Sequence, residues 1–175
     1  MRNRYAKAID QKTTELLREL DLLTVPVNVE EVAQKLGAEL VYGDLEDDMS
    51  GFLLREKGVV TIAVNKLHHP NRQRFTIAHE CGHLHLHGEQ GDRLWVDKAY
   101  STIFYRDASS SSGDKLAEIQ ANQFAAGLLM PEALLTEQLP PELSDVDIFR
   151  LALRFQVSEQ AMTLRLVSLG VLTES

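Results

Sequence analysis

Five consecutive residues near the middle of the chain limit what it can fold into. Residues His79, Glu80, Cys81, Gly82 and His83 spell H-E-x-x-H, a motif in which two histidines bind zinc and the glutamate acts as a base. The spacing suits a helix, because residues four apart lie on one face and both imidazoles can reach one tetrahedral metal. Glu80 lies about 100° around that helix from His79 and can face a water on the metal. The motif therefore predicts a helix with two metal ligands and a general base.

The residues that flank the motif predict a buried helix. This favours metal binding over the alternative that two histidines share a helix face by chance. Phe75, Ala78 and Leu84 are apolar neighbours, and a buried helix that carries imidazoles and a carboxylate is costly unless those groups find partners. A bound metal supplies such partners. His87 continues the four-residue series, but it lies about 12 Å along a straight helix from His79. The third ligand must therefore come from another element.

A second helix is predicted over residues 114–130, where apolar residues recur at helical spacing. Glu118 and Asn122 are four residues apart and share a face of this helix. Glu118 can supply a carboxylate ligand, and Asn122 can hydrogen-bond a ligand histidine from behind. The alternative is an ordinary solvated glutamate and a polar residue at the edge of the core. A catalytic zinc site has three protein ligands and a water, so Glu118 is the candidate for the third.

Three segments of the chain, in order and spacing, resemble the ImmA/IrrE family of metallo-endopeptidases. They are Ser-Gly-Phe at 50–52, the motif segment 74–87, and the segment 118–131 that begins at Glu118. The resemblance covers roughly residues 25–170. It implies a gluzincin-like site in which His79, His83 and Glu118 hold zinc. It also implies that Glu80 is the catalytic base.

The resemblance further implies a substrate. Members of the family cut a partner helix-turn-helix (XRE-type) repressor and relieve repression in mobile-element, toxin–antitoxin or stress-response circuits. Two imidazoles and a carboxylate accept Mn²⁺ as well as Zn²⁺, so manganese is the alternative metal. Two alternative functions are a metal-bearing partner that sequesters the repressor without cutting it and a metallohydrolase with a non-peptide substrate. The candidates for a second oxyanion donor are Tyr100, Tyr105, His85 and His87, and the sequence does not choose among them.

Cys81 stands where this family usually has a leucine. It lies about 200° around the helix from His79, so its side chain points away from the metal. We expect a small buried packing residue and not a ligand or a redox switch.

Composition narrows the class of protein. The chain has 175 residues, 44% of them hydrophobic, and we divide it into a zinc metallopeptidase core at 1–143 and a helical C-terminal segment at 144–175 packed on that core. A net charge of −8 argues against direct binding to nucleic-acid phosphates. The single cysteine excludes an internal disulfide. Neither a signal peptide nor an apolar run of about 18 residues is visible, which predicts a cytoplasmic protein with no membrane attachment.

Local patterns predict an α+β fold, a zincin-like core with a small antiparallel sheet and the H-E-x-x-H helix. Helices are expected over 4–22 and from an N-cap at Asn28 to Gly37, with a strand or ordered loop over 93–106 and a flexible serine-rich loop at 109–113. Strands are expected at 38–42, 51–55 and 59–64. The last two strands form a hairpin, which we expect to be the sheet edge that holds an extended peptide by strand addition.

The C-terminal segment supports a rival function. Residues 148–170 have the pattern helix, short turn, helix, with Ser158 as N-cap of the second helix. A helix-turn-helix would place Gln160, Thr163 and Arg165 against DNA bases. The region lacks a basic stripe, so a DNA-binding regulator is the alternative reading. Otherwise the segment packs on the core or docks the repressor.

Overall fold

The computed structural model describes residues 4–46, 48–88, 93–98 and 112–173. Within these ranges the elements are α1 (Arg4–Glu19), α2 (Val29–Lys35), β1 (Ala38–Gly43), β2 (Met49–Glu56), β3 (Val59–Asn65), α3 (Pro70–His87), β4 (Arg93–Lys98), α4 (Ser112–Leu129), α5 (Glu132–Thr136), α6 (Asp145–Phe155) and α7 (Glu159–Ser168). The described strands lie between residues 38 and 98 and do not alternate strictly with helices. This is the α+β arrangement that the sequence predicts.

The predicted hairpin of β2 and β3 is confirmed. The two strands pair antiparallel, with Glu56 opposite Val59. Lys57 and Gly58 between them have φ values of 50° and 82°, as a two-residue hairpin turn with two left-handed positions requires.

The prediction of an antiparallel sheet is wrong in one pair of strands. The described strands have the order β1-β3-β2-β4, and β1 runs parallel to β3, with Ala38 opposite Val60. β3 is more buried than β1 and β2, with residue 60 and residues 62–65 all buried. β3 pairs parallel with β1 on one side and antiparallel with β2 on the other, so the sheet is mixed.

The hairpin is not a sheet edge, which corrects the second prediction. β3 lies between β1 and β2, and β2 lies between β3 and β4, where Phe52 is opposite Val96. The edges of the described sheet are therefore β1 and β4. Residues 93–98 of the predicted strand or loop form β4, and 99–106 lie outside the described residues.

The serine-rich stretch is partly helical. Ser112 and Gly113 were expected in a loop but belong to the first turn of α4, whereas residues 109–111 lie outside the described part of the chain.

The metal-motif helix α3 packs closely on β2 at Gly51, where a side chain would not fit. A Cβ on Gly51 would lie 2.5 Å from the Ala63 carbonyl oxygen and 2.5 Å from Thr76 Cγ2. Arg72 Nη2 donates to Ser50 Oγ at 2.9 Å beside this contact. These two contacts set the position of α3 over the sheet, since glycine inside a strand permits another element to approach closely.

One hydrophobic cluster runs through the described elements. It includes Leu53 and Ile62 of the sheet, Ile77 of α3 and Phe124 of α4, and the C-terminal side chains Phe155, Val157, Met162 and Leu166. The C-terminal helices therefore pack on the remainder of the fold. The division at residue 143 stays a prediction. None of the helices in the described ranges has the length and apolar character needed to cross a bilayer.

Candidate metal centre

The H-E-x-x-H motif lies in the buried middle of α3. His69 caps the helix, its Nδ1 accepting from the Asn71 amide at 3.2 Å, and Pro70 occupies the first turn. His79, Glu80 and His83 are 0%, 0% and 1% exposed. Polar side chains this deeply buried need specific partners, and the helix places all three in the same region.

Three potential ligand side chains converge on one point. The Nε2 atoms of His79 and His83 are 3.0 Å apart. Glu118 Oε2 lies 3.3 Å from His79 Nε2, and Glu118 Oε1 lies 3.1 Å from His83 Nε2. Among the described residues these side chains form a group with one ligand atom each, all within 4.8 Å of one another.

The spacing of these atoms fits a divalent metal ion. Nitrogen and oxygen ligands about 2.0–2.1 Å from a tetrahedral zinc are about 3.3 Å from each other, and the three separations here are 3.0, 3.1 and 3.3 Å. Two imidazoles and a carboxylate are a donor set for zinc and also for manganese. The geometry therefore supports a metal ion without choosing which one.

Asn122 orients one imidazole. Its Oδ1 lies 2.9 Å from His79 Nδ1. An amide oxygen only accepts hydrogen bonds, so Nδ1 carries the proton and donates it. The lone pair of His79 Nε2 is then directed at Glu118, which is the arrangement that a histidine ligand requires.

The charge of Glu118 is favourable for a ligand. Burial raises the pKa of its carboxyl, but the close contacts with the imidazoles of His79 and His83 outweigh burial and lower the pKa to about 2. The carboxylate is therefore ionised at neutral pH, as metal coordination requires.

Helices α3 and α4 can bring these groups together because Gly82 faces α4. A Cβ at Gly82 would lie 3.0 Å from Ala121 Cα, 3.1 Å from the Ala121 carbonyl oxygen and 3.2 Å from Phe124 Cβ. Two of these contacts are to backbone atoms that cannot rotate away. The absence of a side chain at Gly82 thus permits the interhelical distance that Glu118 needs.

Cys81 is confirmed as a buried packing residue. It is fully buried within the hydrophobic cluster. Burial raises the pKa of its thiol, and the nearby charge of Glu80 raises it further. A thiol in this state is a weak nucleophile.

The model of the peptidase family described as the IrrE N-terminal-like domain matches residues 33–167. The chain belongs to this metallopeptidase family. The assignment confirms the resemblance seen in the sequence.

Three individual proteins resemble this chain, each over a different share of its length. The radiation response metalloprotease IrrE of Deinococcus radiodurans is 35% identical over 78 residues, 45% of this chain and 21% of that protein. The uncharacterized immunity region protein 2 of Bacillus phage phi105 is 26% identical over 121 residues, 69% of this chain and 70% of that protein. A solved Mycobacterium tuberculosis transcriptional regulator has a TM-score of 0.60 at 23% identity, covering 92% of this chain and 46% of that one.

These matches carry different weight. The last shows a shared fold alone. The chain matches about a fifth of the Deinococcus protein and less than half of the Mycobacterium chain.

The structure separates the candidate oxyanion donors. The ring of His87 is 5.9 Å from that of His83 and thus on the metal side of α3. The ring of His85 is 5.6 Å from that of Phe124. Burial lowers the pKa of His85, the charge of Lys12 on α1 lowers it too, and that of Glu19 raises it. Tyr100 and Tyr105 lie outside the described residues.

Arg74 is an important residue that the sequence reasoning missed. Its Nη2 donates to the Val27 carbonyl at 3.0 Å and its Nε to the Gln156 carbonyl at 3.3 Å. It therefore joins the start of α3 to the turn between α6 and α7. Its partners are 47 and 82 residues away in sequence, and no local pattern could have indicated them.

The alternative reading, in which Arg165 contacts DNA bases, does not fit the position of this side chain. The side chain is 5% exposed, with Nη2 2.9 Å from Asp10 Oδ1 and Nε donating to the Met130 carbonyl at 3.0 Å. A buried arginine needs such a carboxylate partner. Arg165 therefore joins α7 to α1 and to the end of α4, and it cannot reach a groove.

Proposed function

We propose that this chain is a zinc-dependent endopeptidase that cleaves a helix-turn-helix (XRE-type) repressor and thereby relieves repression in a mobile-element, toxin–antitoxin or stress-response circuit. The observation that supports it best is the convergence of His79, His83 and Glu118, with Glu80 buried on the same helix, in a member of a metallopeptidase family. The same family supports a peptide over a non-peptide substrate.

The catalytic roles follow from position on the two helices. His79, His83 and Glu118 would hold the ion, with Asn122 fixing the ring of His79. Bound zinc would polarise the scissile carbonyl and stabilise negative charge on its oxygen.

Glu80 is the base in this proposal. Its carboxylate accepts a proton from the attacking water and delivers it to the leaving amine. Glu80 adjoins the ligand His79 and is fully buried, so its carboxylate can be held beside the attacking water without taking a ligand position.

A regulator as substrate is supported by charge and by the relatives. The chain carries a net charge of −8, which favours encounter with a basic, DNA-binding protein. One relative is named as a phage immunity region protein and the structural neighbour as a transcriptional regulator. Both names fit a protein that works within a regulatory circuit.

The test is metal-dependent turnover of a defined protein. The helix-turn-helix regulator encoded beside this gene is incubated with about one-twentieth equivalent of wild-type chain, Glu80→Gln or Glu39→Gln, with zinc or with chelator. Glu39 is an exposed carboxylate on β1 and serves as the matched control. Wild type and Glu39→Gln should convert all the regulator into two fragments with zinc only. Glu80→Gln should retain zinc and cleave at least about 100-fold more slowly.

Two results would reject parts of the proposal. Cleavage by Glu80→Gln at the wild-type rate would remove Glu80 as the base. Stoichiometric binding of the regulator without fragments, with zinc present, would identify a sequestering partner instead of a peptidase.

A further inference from the structure

Helix α6 exposes a row of large apolar side chains. Val146, Phe149 and Leu153 are 56%, 50% and 62% exposed. Their spacing of three and four residues places them on one side of the helix. The opposite side is buried through Ile148, Leu151, Ala152 and Phe155. We refer to Val146, Phe149 and Leu153 as the α6 stripe.

The α6 stripe has a positive border. Arg150 follows Val146 by one turn, and Arg154 follows Arg150 by one turn, so both lie along the same flank. The side chain of Arg150 is 74% exposed, and its contact with Asp147 is 3.8 Å long. Asp147 lies on the same flank, so two arginines and one aspartate leave it with one net positive charge, on a chain whose net charge is −8.

We propose that the α6 stripe docks an amphipathic helix of the substrate regulator, one with an apolar ridge bordered by carboxylates. The inference rests on the proposed function. Helix-turn-helix regulators present helices at their surfaces, and a stripe of about 10 Å matches two turns of a partner helix. Carboxylates beside the partner's ridge would pair with Arg150 and Arg154.

The size of the α6 stripe favours a substrate over a second copy of the chain. The surface area that three half-exposed side chains can bury is far smaller than the roughly 800 Å² per partner that a stable complex buries. A contact of this size suits a partner that binds and leaves, as a cleaved substrate must.

A hydrogen bond connects the end of α6 to α3, the helix that carries the two histidines of the metal centre. The C-cap of α6 is Gln156, whose carbonyl accepts from Arg74 Nε at 3.3 Å. Arg74 is on α3, five residues before His79. A regulator held on α6 would therefore keep a defined position relative to the ligands, and contacts remote from the scissile bond can contribute to catalysis.

The test measures binding separately from cleavage. In a Glu80→Gln background, the purified regulator encoded beside this gene is titrated, with zinc, into three variants. Phe149→Glu/Leu153→Glu should weaken Kd at least tenfold. Arg150→Glu/Arg154→Glu should weaken it and reduce its dependence on salt. Val59→Glu, at a position 51% exposed on β3, should bind within twofold of the parent.

The outcomes distinguish docking from catalysis. Unchanged regulator affinity in both α6 double variants would overturn the docking inference, even if the wild type cleaves the regulator. Binding that both variants lose, with no cleavage by the wild type, would support docking and reject the proposed function. A dimer that Phe149→Glu/Leu153→Glu disrupts, or duplex DNA binding that Arg150→Glu/Arg154→Glu abolishes, would assign α6 to another occupant and overturn the inference.

Discussion

Folded proteins usually bury apolar side chains and expose polar ones. The metal centre and the α6–α7 pair depart from this rule in opposite ways. The metal centre buries polar groups, with His79, Glu80 and His83 at most 1% exposed. The helix pair exposes apolar groups, with three side chains of α6 at least half exposed. Both are costly in an isolated chain, because buried polar groups lose hydration and apolar surface orders water. The buried polar groups suit the proposed metal ion, and the exposed apolar groups suit the proposed docking of a regulator helix.

The two regions also differ in how they are assembled. The metal centre depends on contacts between distant segments, such as that of His79 with Asn122, 43 residues away. The helix pair begins from local signals, since Ser144 and Asp147 form a capping box and Ser158 caps α7. Substitutions should therefore act on metal binding in the first region and on partner binding in the second.

The largest expected effect on the metal centre is the loss of zinc affinity when Glu118 is replaced. Glu118→Ala removes one of three ligands, so zinc affinity should fall at least about 100-fold, more than for the loss of a group behind a ligand. Atomic emission of dialysed protein and competition with a chelator measure the effect. Glu137→Ala, at an exposed position, is the control. Unchanged zinc content in Glu118→Ala would reject Glu118 as a ligand.

Removal of the hydrogen-bond acceptor behind His79 should lower zinc affinity by less. Asn122→Ala leaves the ligands in place but removes the acceptor for His79 Nδ1, so zinc affinity should fall about 10- to 100-fold. The neighbouring Gln123→Ala should bind zinc like the wild type. Zinc affinity within twofold of wild type in Asn122→Ala would show that the hydrogen bond does not orient the ring.

The close approach of α3 and α4 can be tested without metal. Gly82→Ala places a methyl group 3.0 Å from Ala121 Cα and should lower the unfolding free energy by about 1–3 kcal/mol. Gly43→Ala has nothing within 4 Å of the new methyl and should change it little. Urea denaturation of the metal-free proteins measures both, and equal stability of the two variants would contradict the packing argument.

The smallest expected effect lies at the connection between the two regions. Arg74→Gln loses the bonds to Val27 and Gln156 and should lower the unfolding free energy by about 1–2 kcal/mol. Arg18→Gln, at an exposed position on α1, should be neutral. If Arg74→Gln matched Arg18→Gln in thermal denaturation, the α6–α7 pair would not depend on this connection.

Several local elements were predictable because their signals lie within a few residues. The N-cap at Asn28 accepts from the Glu31 amide, and Gly37 ends that helix with a positive φ. The hairpin turn at Lys57 and Gly58 and the cap at Ser158 are similarly local. α5 carries no side-chain cap and was not predicted.

Pairings between distant segments were not predictable in the same way. The parallel contact of β1 with β3 joins segments about 22 residues apart, with Ala38 opposite Val60, and no pattern within either strand specifies its direction. Arg165 has helical spacing that suits a DNA reader, but its buried partner Asp10 is 155 residues away. Nothing in the residues next to Arg165 indicates that carboxylate.

The sequence by itself determined that His79 and His83 share a helix face with Glu80 nearby, because helical period acts over four residues. It also proposed Glu118 and Asn122 through their own four-residue spacing. Only the tertiary structure decided that these two faces meet, since Gly82 permits α4 to approach α3 closely and the sheet seats α3 through Gly51. Such proximity is a property of packing between segments, and no period within one segment encodes it.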